Sequence, residues 1–324
     1  MRRQLADSLD AGALGLSSGL AYASAASAPT DEVRQLAEEL SRCRALYATH
    51  LRDEFDGILD ALDEAFDIAR HAGCTVIVSH LKCAGAGNWG RSGEVLASLE
   101  QAARRQPLGC DCYPYAASAS TLDLNQVTGD FDILITWSEP HPEEAGQPLA
   151  RIAQRWRLPL LEAARRLQPA GAVYRCMSEA DVRRILAHPL TMVGSDGLPD
   201  DPRPHPRLWG TFPRVLGHYC REQRLLPLEQ AVHKMTGLSA MRFGLGERGR
   251  IEPGFHADLV LFDPQTVSDT ATFEQPRRAA TGIHAVWVNG ALSCLHGQAQ
   301  TQRAGRFLPR ENLPGQTILQ EESQ

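Results

Sequence analysis

The 324-residue sequence lacks several features that would place it in a different class of protein. No apolar run approaches the roughly 20 residues that a membrane-spanning helix needs, so a bilayer is not expected as a partner. Its lysines and arginines are interspersed with acidic residues, and no basic patch with interleaved aromatics occurs. Nucleic acid is therefore not expected either. The opening MRRQLADSLDAGALG has two arginines, but an acidic amphipathic stretch stands where a secretory signal would have its apolar segment. A cytoplasmic location follows as the expectation. Of eight cysteines only Cys110 and Cys112 are close in sequence, and C-x-C inside an apolar strand is not a structural zinc spacing. Reduced, mostly buried thiols are expected. No G-x-G-x-x-G follows the first strand, which argues against a dinucleotide fold.

What is present is a soluble, globular composition, with 43% hydrophobic and 22% charged residues and a net charge of −6. Helical and strand patterns alternate over the first two hundred residues. Helices are expected over about 1–11, 31–44 (capped by Thr30), 58–73, 93–105 and 178–187 (capped by Ser178). Strands are expected at 13–17, 46–50, 75–80, 108–115 and 191–196. Near-continuous apolar strands separated by helices indicate a parallel sheet. Residues 116–177 break this rhythm. They are polar, carry Pro140, Pro142, Pro148 and Pro159, and show one helical pattern near 159–168, so an insertion or lid is expected. After 227 comes a continuous helical stretch, then a turn at Pro253-Gly254 with a strand, and a hairpin with Asn289-Gly290 at its turn.

The polar residues that matter stand just past the apolar strands. His50 ends LYATH, His80 ends TVIVSH, Lys82 follows by two, and Asp196 ends TMVGSD. In a (β/α)8 barrel the C-terminal strand ends form the catalytic face. Two imidazoles and a carboxylate suit a borderline cation such as zinc, and the carboxylate could instead serve as a general base. Each motif alone has a plainer reading. A histidine after a strand is usually a hydrogen-bonding or surface residue, and S-D-G is usually a turn. Trp89 and Trp209 read as packing, and His205, His218 and His233 as structural or surface residues.

Longer strings carry a resemblance. GALGLSSGLAY (12–22), YATHLRDE (47–54), SHLK (79–82), DCYPY (111–115), GSDGLPDDPRPHPRLWGTFPRVLG (194–217), HADLVLFDP (256–264) and ATFEQP (271–276) closely resemble the D-aminoacylase group of the metal-dependent amidohydrolase superfamily. The resemblance implies a TIM-like (β/α)8 metallo-dependent hydrolase barrel, here partial (about strands 4 to 8), over residues 1–245. A small C-terminal β unit, a β-sandwich portion and tail, would occupy 246–324. It implies hydrolysis of N-acyl-D-amino acids with one tight Zn2+ site. His50, His80 and Asp196 match metal ligands, and Asp196 also matches the catalytic proton shuttle. Arg207 and Tyr113 match residues that hold the substrate α-carboxylate, while Lys82 and Tyr22 match polar residues of the pocket. Ser118 and Ser120 compete for a further carboxylate contact. Tyr113 and Tyr115 share a face if a two-residue period runs through Pro114, so only the resemblance chooses between them.

The sequence also departs from that pattern. The family opens with an H-x-H strand and carries a bridging cysteine on the next, and neither has a match here. The ligand set and the barrel are therefore expected to be incomplete in this chain. Three accounts compete: a fragment, an assembly subunit whose partner chain segment supplies the missing N-terminal strands, or a decayed relative with no catalysis. A cyclic amide hydrolase of the hydantoinase or dihydroorotase kind is the alternative enzyme.

Overall fold

The computed structural model describes residues 1–310. Its centre is a five-stranded parallel sheet formed by β1 (Gly15–Gly19), β2 (Leu46–His50), β3 (Val76–Val78), β4 (Leu108–Cys112) and a later strand, β8 (Thr191–Val193), in the order β1-β2-β3-β4-β8. Helix α1 (Arg2–Asp10) precedes β1, and α2 (Thr30–Ser41), α3 (Ile58–Ala72) and α4 (Ser92–Ala103) occupy the connections between β1, β2, β3 and β4. The longest, α3, buries Ile58, Ala61, Leu62, Ala65, Phe66, Ile68, Ala69 and Ala72, one stripe at helical spacing. It stops where Gly73 takes the left-handed conformation. Tyr47, Val76, Val78, Cys110, Cys112 and Val193 share the core that holds this stripe.

Two positions show how tightly the sheet is built. Gly15 pairs with Leu46, and a Cβ on it would lie 1.9 Å from the Leu46 carbonyl oxygen. Only glycine allows β1 and β2 to approach there. At the other end Gly19 pairs with His50, so the last rung of the ladder carries a histidine.

The segment 116–177 is more ordered than its composition predicts. It holds an antiparallel sheet of β5 (Ser118–Thr121), β6 (Ile133–Ser138) and β7 (Ala170–Tyr174), in the order β5-β7-β6. It also holds two helices, α5 (Leu149–Trp156) and α6 (Leu160–Leu167), where the sequence predicts one. These build their own core from Ile133, Ile135, Ile152, Leu167, Ala172 and Tyr174. The prolines that mask the pattern sit at element ends. Pro148 and Pro159 precede the first turns of α5 and α6, where no N–H is needed.

Helix α7 (Glu179–Ala187) follows, capped as expected by the Ser178 side chain, which accepts from the Ala180 N–H. Ser178→Ala should therefore cost about 1 kcal/mol, read as a lower urea midpoint at unchanged slope. Thr30 does not cap α2. Pro29 holds the cap position, and the Thr30 hydroxyl donates to Glu64 at 2.7 Å instead. After β8 come α8 (Arg207–Arg214), a π-type segment (Val215–Glu222), α9 (Leu228–Met235) and α10 (Gly237–Phe243). The stretch expected as one helix after 227 breaks at Thr236, whose φ of −132° and ψ of −90° are not helical. Leu238 of α10 packs with Leu46, Ile77 and Met192 on the opposite side of the parallel sheet.

The C-terminal region forms an antiparallel sheet of β9 (Leu259–Phe262), β10 (Ile283–Val288), β11 (Ala291–Leu295) and β12 (Gln298–Ala299), in the order β12-β11-β10-β9. Asn289 and Gly290 turn the β10–β11 hairpin with φ of 48° and 80°, as the sequence predicts. Among the described residues this region contributes one sheet. Val260 and Leu261 are each 54% exposed on it. The part of the predicted tail at 311–324 lies outside the described residues.

Candidate functional site

The C-terminal ends of the parallel strands gather the nominated residues. His50 is the last residue of β2, while His80 lies two past β3 and Asp196 three past β8. The strands predicted to run to His80 and Asp196 stop earlier, because these two residues adopt left-handed φ values of 40° and 47°. That conformation turns the chain out of the ladder and points each side chain away from the strand direction.

Three donors converge. His50 Nδ1 lies 2.9 Å from His80 Nε2. Glu54, in the loop between β2 and α3, lies 3.1 Å from His80 Nδ1 through Oε1 and 3.6 Å from His50 Nε2 through Oε2. Among the described residues, His50, Glu54 and His80 are the one group of three such donors, with ligand atoms all within 4.8 Å of one another. Lys82 Nζ donates to Glu54 Oε1 and lies 2.7 Å from His80 Nδ1. The His80 backbone N–H donates to Asp111 at 3.0 Å, which fixes the turn. Burial pushes His50 down to about 4, so its ring is neutral near pH 7 and able to ligate. Burial opposes ionisation of Glu54, but Lys82 and the two histidines outweigh it and hold the carboxyl well below its usual range.

The two histidines fit zinc. Imidazole nitrogens are among its ordinary ligands, and two ligands on a tetrahedral zinc lie roughly 3.3 Å apart. The 2.9 Å between the histidine nitrogens is close to that spacing. Asp196 is not part of the group. Its Oδ2 accepts instead from Arg207 Nη2 at 2.8 Å.

Arg207 is the unusual residue. It is 2% exposed, it is the first residue of α8, and its guanidinium lies over the Tyr113 ring at 4.5 Å. Nη2 also donates to the Ala119 carbonyl at 3.2 Å, but Nε and Nη1 have no partner, and neither does the buried Tyr113 hydroxyl. The pair with Asp196 thus lies inside the site and not on the surface. Tyr115 faces a different guanidinium, that of Arg214 at 4.9 Å. The ladder ends at Cys112, before Pro114, so strand periodicity does not govern the two tyrosines.

The remaining nominees spread around this centre. Tyr22 reaches His50 Nδ1 at 3.5 Å and is 47% exposed. Ser118 and Ser120 flank the carbonyl that Arg207 contacts. The Ser118 hydroxyl lies 3.5 Å from Cys176 Sγ, and both serines remain half-buried. His205 is buried rather than on the surface. It stacks edge-on against Tyr115 and Phe273, and its Nδ1 accepts from the Arg207 N–H at 2.9 Å. A cleft of about 310 Å³ runs from His80 and Asp196 past Ser79, Asp111 and Gly194 to Phe243. Sequence reasoning missed Glu54 and Asp111. The available signal for Glu54 was its four-residue spacing from His50 within THLRDE.

A family model described as the amidohydrolase family matches residues 145–293. An N-acyl-D-aspartate deacylase of Alcaligenes xylosoxydans xylosoxydans is 49% identical over 316 residues, which is 97% of this chain and 64% of the relative. A crystal structure of D-aminoacylase superposes with a TM-score of 0.93 at 50% identity, covering 95% of this chain and 65% of that one. Over nearly its whole length this chain is similar to the D-aminoacylase group of the amidohydrolases. It spans about 64% of the length of the curated relatives it matches. The N-acyl-D-glutamate deacylase of Bordetella bronchiseptica is solved with zinc and a phosphonate mimic of the tetrahedral intermediate. It matches with a TM-score of 0.91 at 48% identity, over 95% of this chain and 65% of that one. The five-stranded sheet is thus an amidohydrolase-type α/β fold. Among the described residues no helix is long and apolar enough to cross a membrane.

Proposed function

We propose that this chain carries the chemistry of a zinc-dependent N-acyl-D-amino-acid deacylase, with its parallel sheet forming an arc of a (β/α)8 barrel. The observation that carries the reading is the buried Arg207, with unpartnered N–H groups, lying on the Tyr113 ring that Lys82, the neighbour of His80, also approaches. A buried guanidinium is stable only when its charge is matched. Asp196 occupies one amino group, and the rest suit a substrate carboxylate, which a guanidinium fork binds well. An α-carboxylate held there sets the acyl group of an N-acyl amino acid next to His50 and His80.

The roles follow. His50 and His80 would hold zinc, which when bound supplies a Lewis acid for the amide carbonyl and makes water more acidic. Asp196 accepts the proton of the attacking water and returns it to the leaving amine nitrogen as the C–N bond breaks. Arg207 and Tyr113 hold the α-carboxylate, with Lys82, Tyr22 and the Ser118–Ser120 strand completing the polar wall. The products are a carboxylate and a D-amino acid.

Two experiments test this. The purified chain supplied with zinc should release D-amino acid from N-acetyl-D-aspartate or N-acetyl-D-glutamate and leave the L-isomers intact. Turnover of a hydantoin with no turnover of any acyl amino acid would reverse the reading. Zinc uptake should also disappear in the His50→Ala/His80→Ala double variant when measured by atomic emission.

A further inference from the structure

Glu54 sits where neither substrate anchoring nor proton transfer uses it, yet it touches both histidines. The far nitrogen of each ring faces one of its oxygens, His80 Nδ1 facing Oε1 at 3.1 Å and His50 Nε2 facing Oε2 at 3.6 Å. The near nitrogens, His50 Nδ1 and His80 Nε2, then face each other at 2.9 Å. One buried carboxylate therefore spans the back of the whole histidine pair. An imidazole can ligate only through a nitrogen that carries no proton, and the partner of the other nitrogen sets which one that is.

Lys82 makes this choice consequential. Its Nζ is 2.7 Å from His80 Nδ1. An ammonium has only protons to offer, so a bond from Lys82 to Nδ1 would force the proton onto Nε2 and block that nitrogen. Glu54 Oε1 accepts from Lys82 and also lies within reach of an Nδ1–H.

We propose that Glu54 is a positioning residue for the metal pair: it accepts the His80 Nδ1–H, competes with that nitrogen for the Lys82 ammonium, and so leaves His80 Nε2 free beside His50 Nδ1. The inference rests on the zinc-hydrolase reading above.

The test is zinc affinity of the full chain by competition with a chromophoric chelator, together with 15N NMR of the histidine side chains. Glu54→Gln should weaken zinc binding 10- to 100-fold, and His80 should move to the Nε2–H form in the zinc-free protein. Adding Lys82→Met to Glu54→Gln should restore most of the affinity, because the competing donor is gone. Glu54→Asp, which keeps the charge, should lose less than Glu54→Gln, and circular dichroism reports that each variant is folded. Wild-type affinity in Glu54→Gln overturns the proposal, as does an unchanged His80 tautomer. A loss above about 1,000-fold would mark Glu54 as a direct ligand and also overturn it, since the outer carboxylate is worth 10- to 100-fold. Wild-type protein that takes up no zinc sinks the deacylase reading, and this inference with it. Zinc-binding wild-type protein with an indifferent Glu54→Gln sinks this inference alone.

Discussion

Asp196→Asn is expected to lower kcat for N-acyl-D-amino acid hydrolysis by 10²- to 10⁴-fold, the usual range for loss of a general base, while KM changes little. The substitution is nearly isosteric. Asparagine keeps an oxygen for Arg207 Nη2, so the anchor stays in place. What it cannot do is take a proton from water or return one to the departing amine. Asparagine also tolerates the left-handed backbone at this position, so folding should be preserved. Steady-state kinetics on zinc-supplied protein decide the matter. A kcat within tenfold of the parent would show that another group moves the proton.

Arg207→Met is expected to lower kcat/KM by about 10²- to 10⁴-fold, and selectively. A hydrogen bond to a charged group is worth about 1.5–3 kcal/mol, and each 1.4 kcal/mol is a factor of ten. Two such bonds to a substrate carboxylate account for the range. Methionine keeps most of the aliphatic stem that fills the buried site. Asp196, left without its partner, is 36% exposed and can turn to water, so the stability cost should be modest. The selectivity is the sharper readout. An N-acyl-D-amino acid amide, which has no α-carboxylate, should be processed equally by parent and variant. Equal losses on both substrates would show that Arg207 serves the fold or Asp196 rather than the substrate.

His50, His80 and Asp196 were legible because strand ends announce themselves. An apolar β-branched run followed by a polar residue marks the rim of a parallel sheet, and a rim is where such sheets do chemistry. Glu54 was not legible in the same way. It stands in an acidic loop with Asp53 and Asp56, a composition that reads as solvated turn. Its partner His80 is 26 residues away, and only folding brings the two together. The parallel sheet showed in the alternation of patterns. The sheet within 116–177 did not, because β5 is SAST, four small residues without an apolar signature. The break at Thr236 was hidden too, since a helix-compatible sequence continues on both sides of it. The burial of Arg207 was invisible because arginine after a proline-rich loop is ordinarily a surface residue.

The left-handed turn at Asp196 has a consequence for which sequences can occupy the position. Glycine, asparagine and aspartate tolerate that backbone, whereas a β-branched residue pays a steric penalty before its chemistry is considered. Saturation mutagenesis at 196 should therefore separate two scales. Expression yield should rank the replacements by backbone tolerance, with glycine and asparagine near the parent and valine and isoleucine lowest. Turnover should rank them by basicity, with every replacement far below aspartate. The position is thus narrow in two independent ways, and asparagine and glycine are the replacements that fail on chemistry alone.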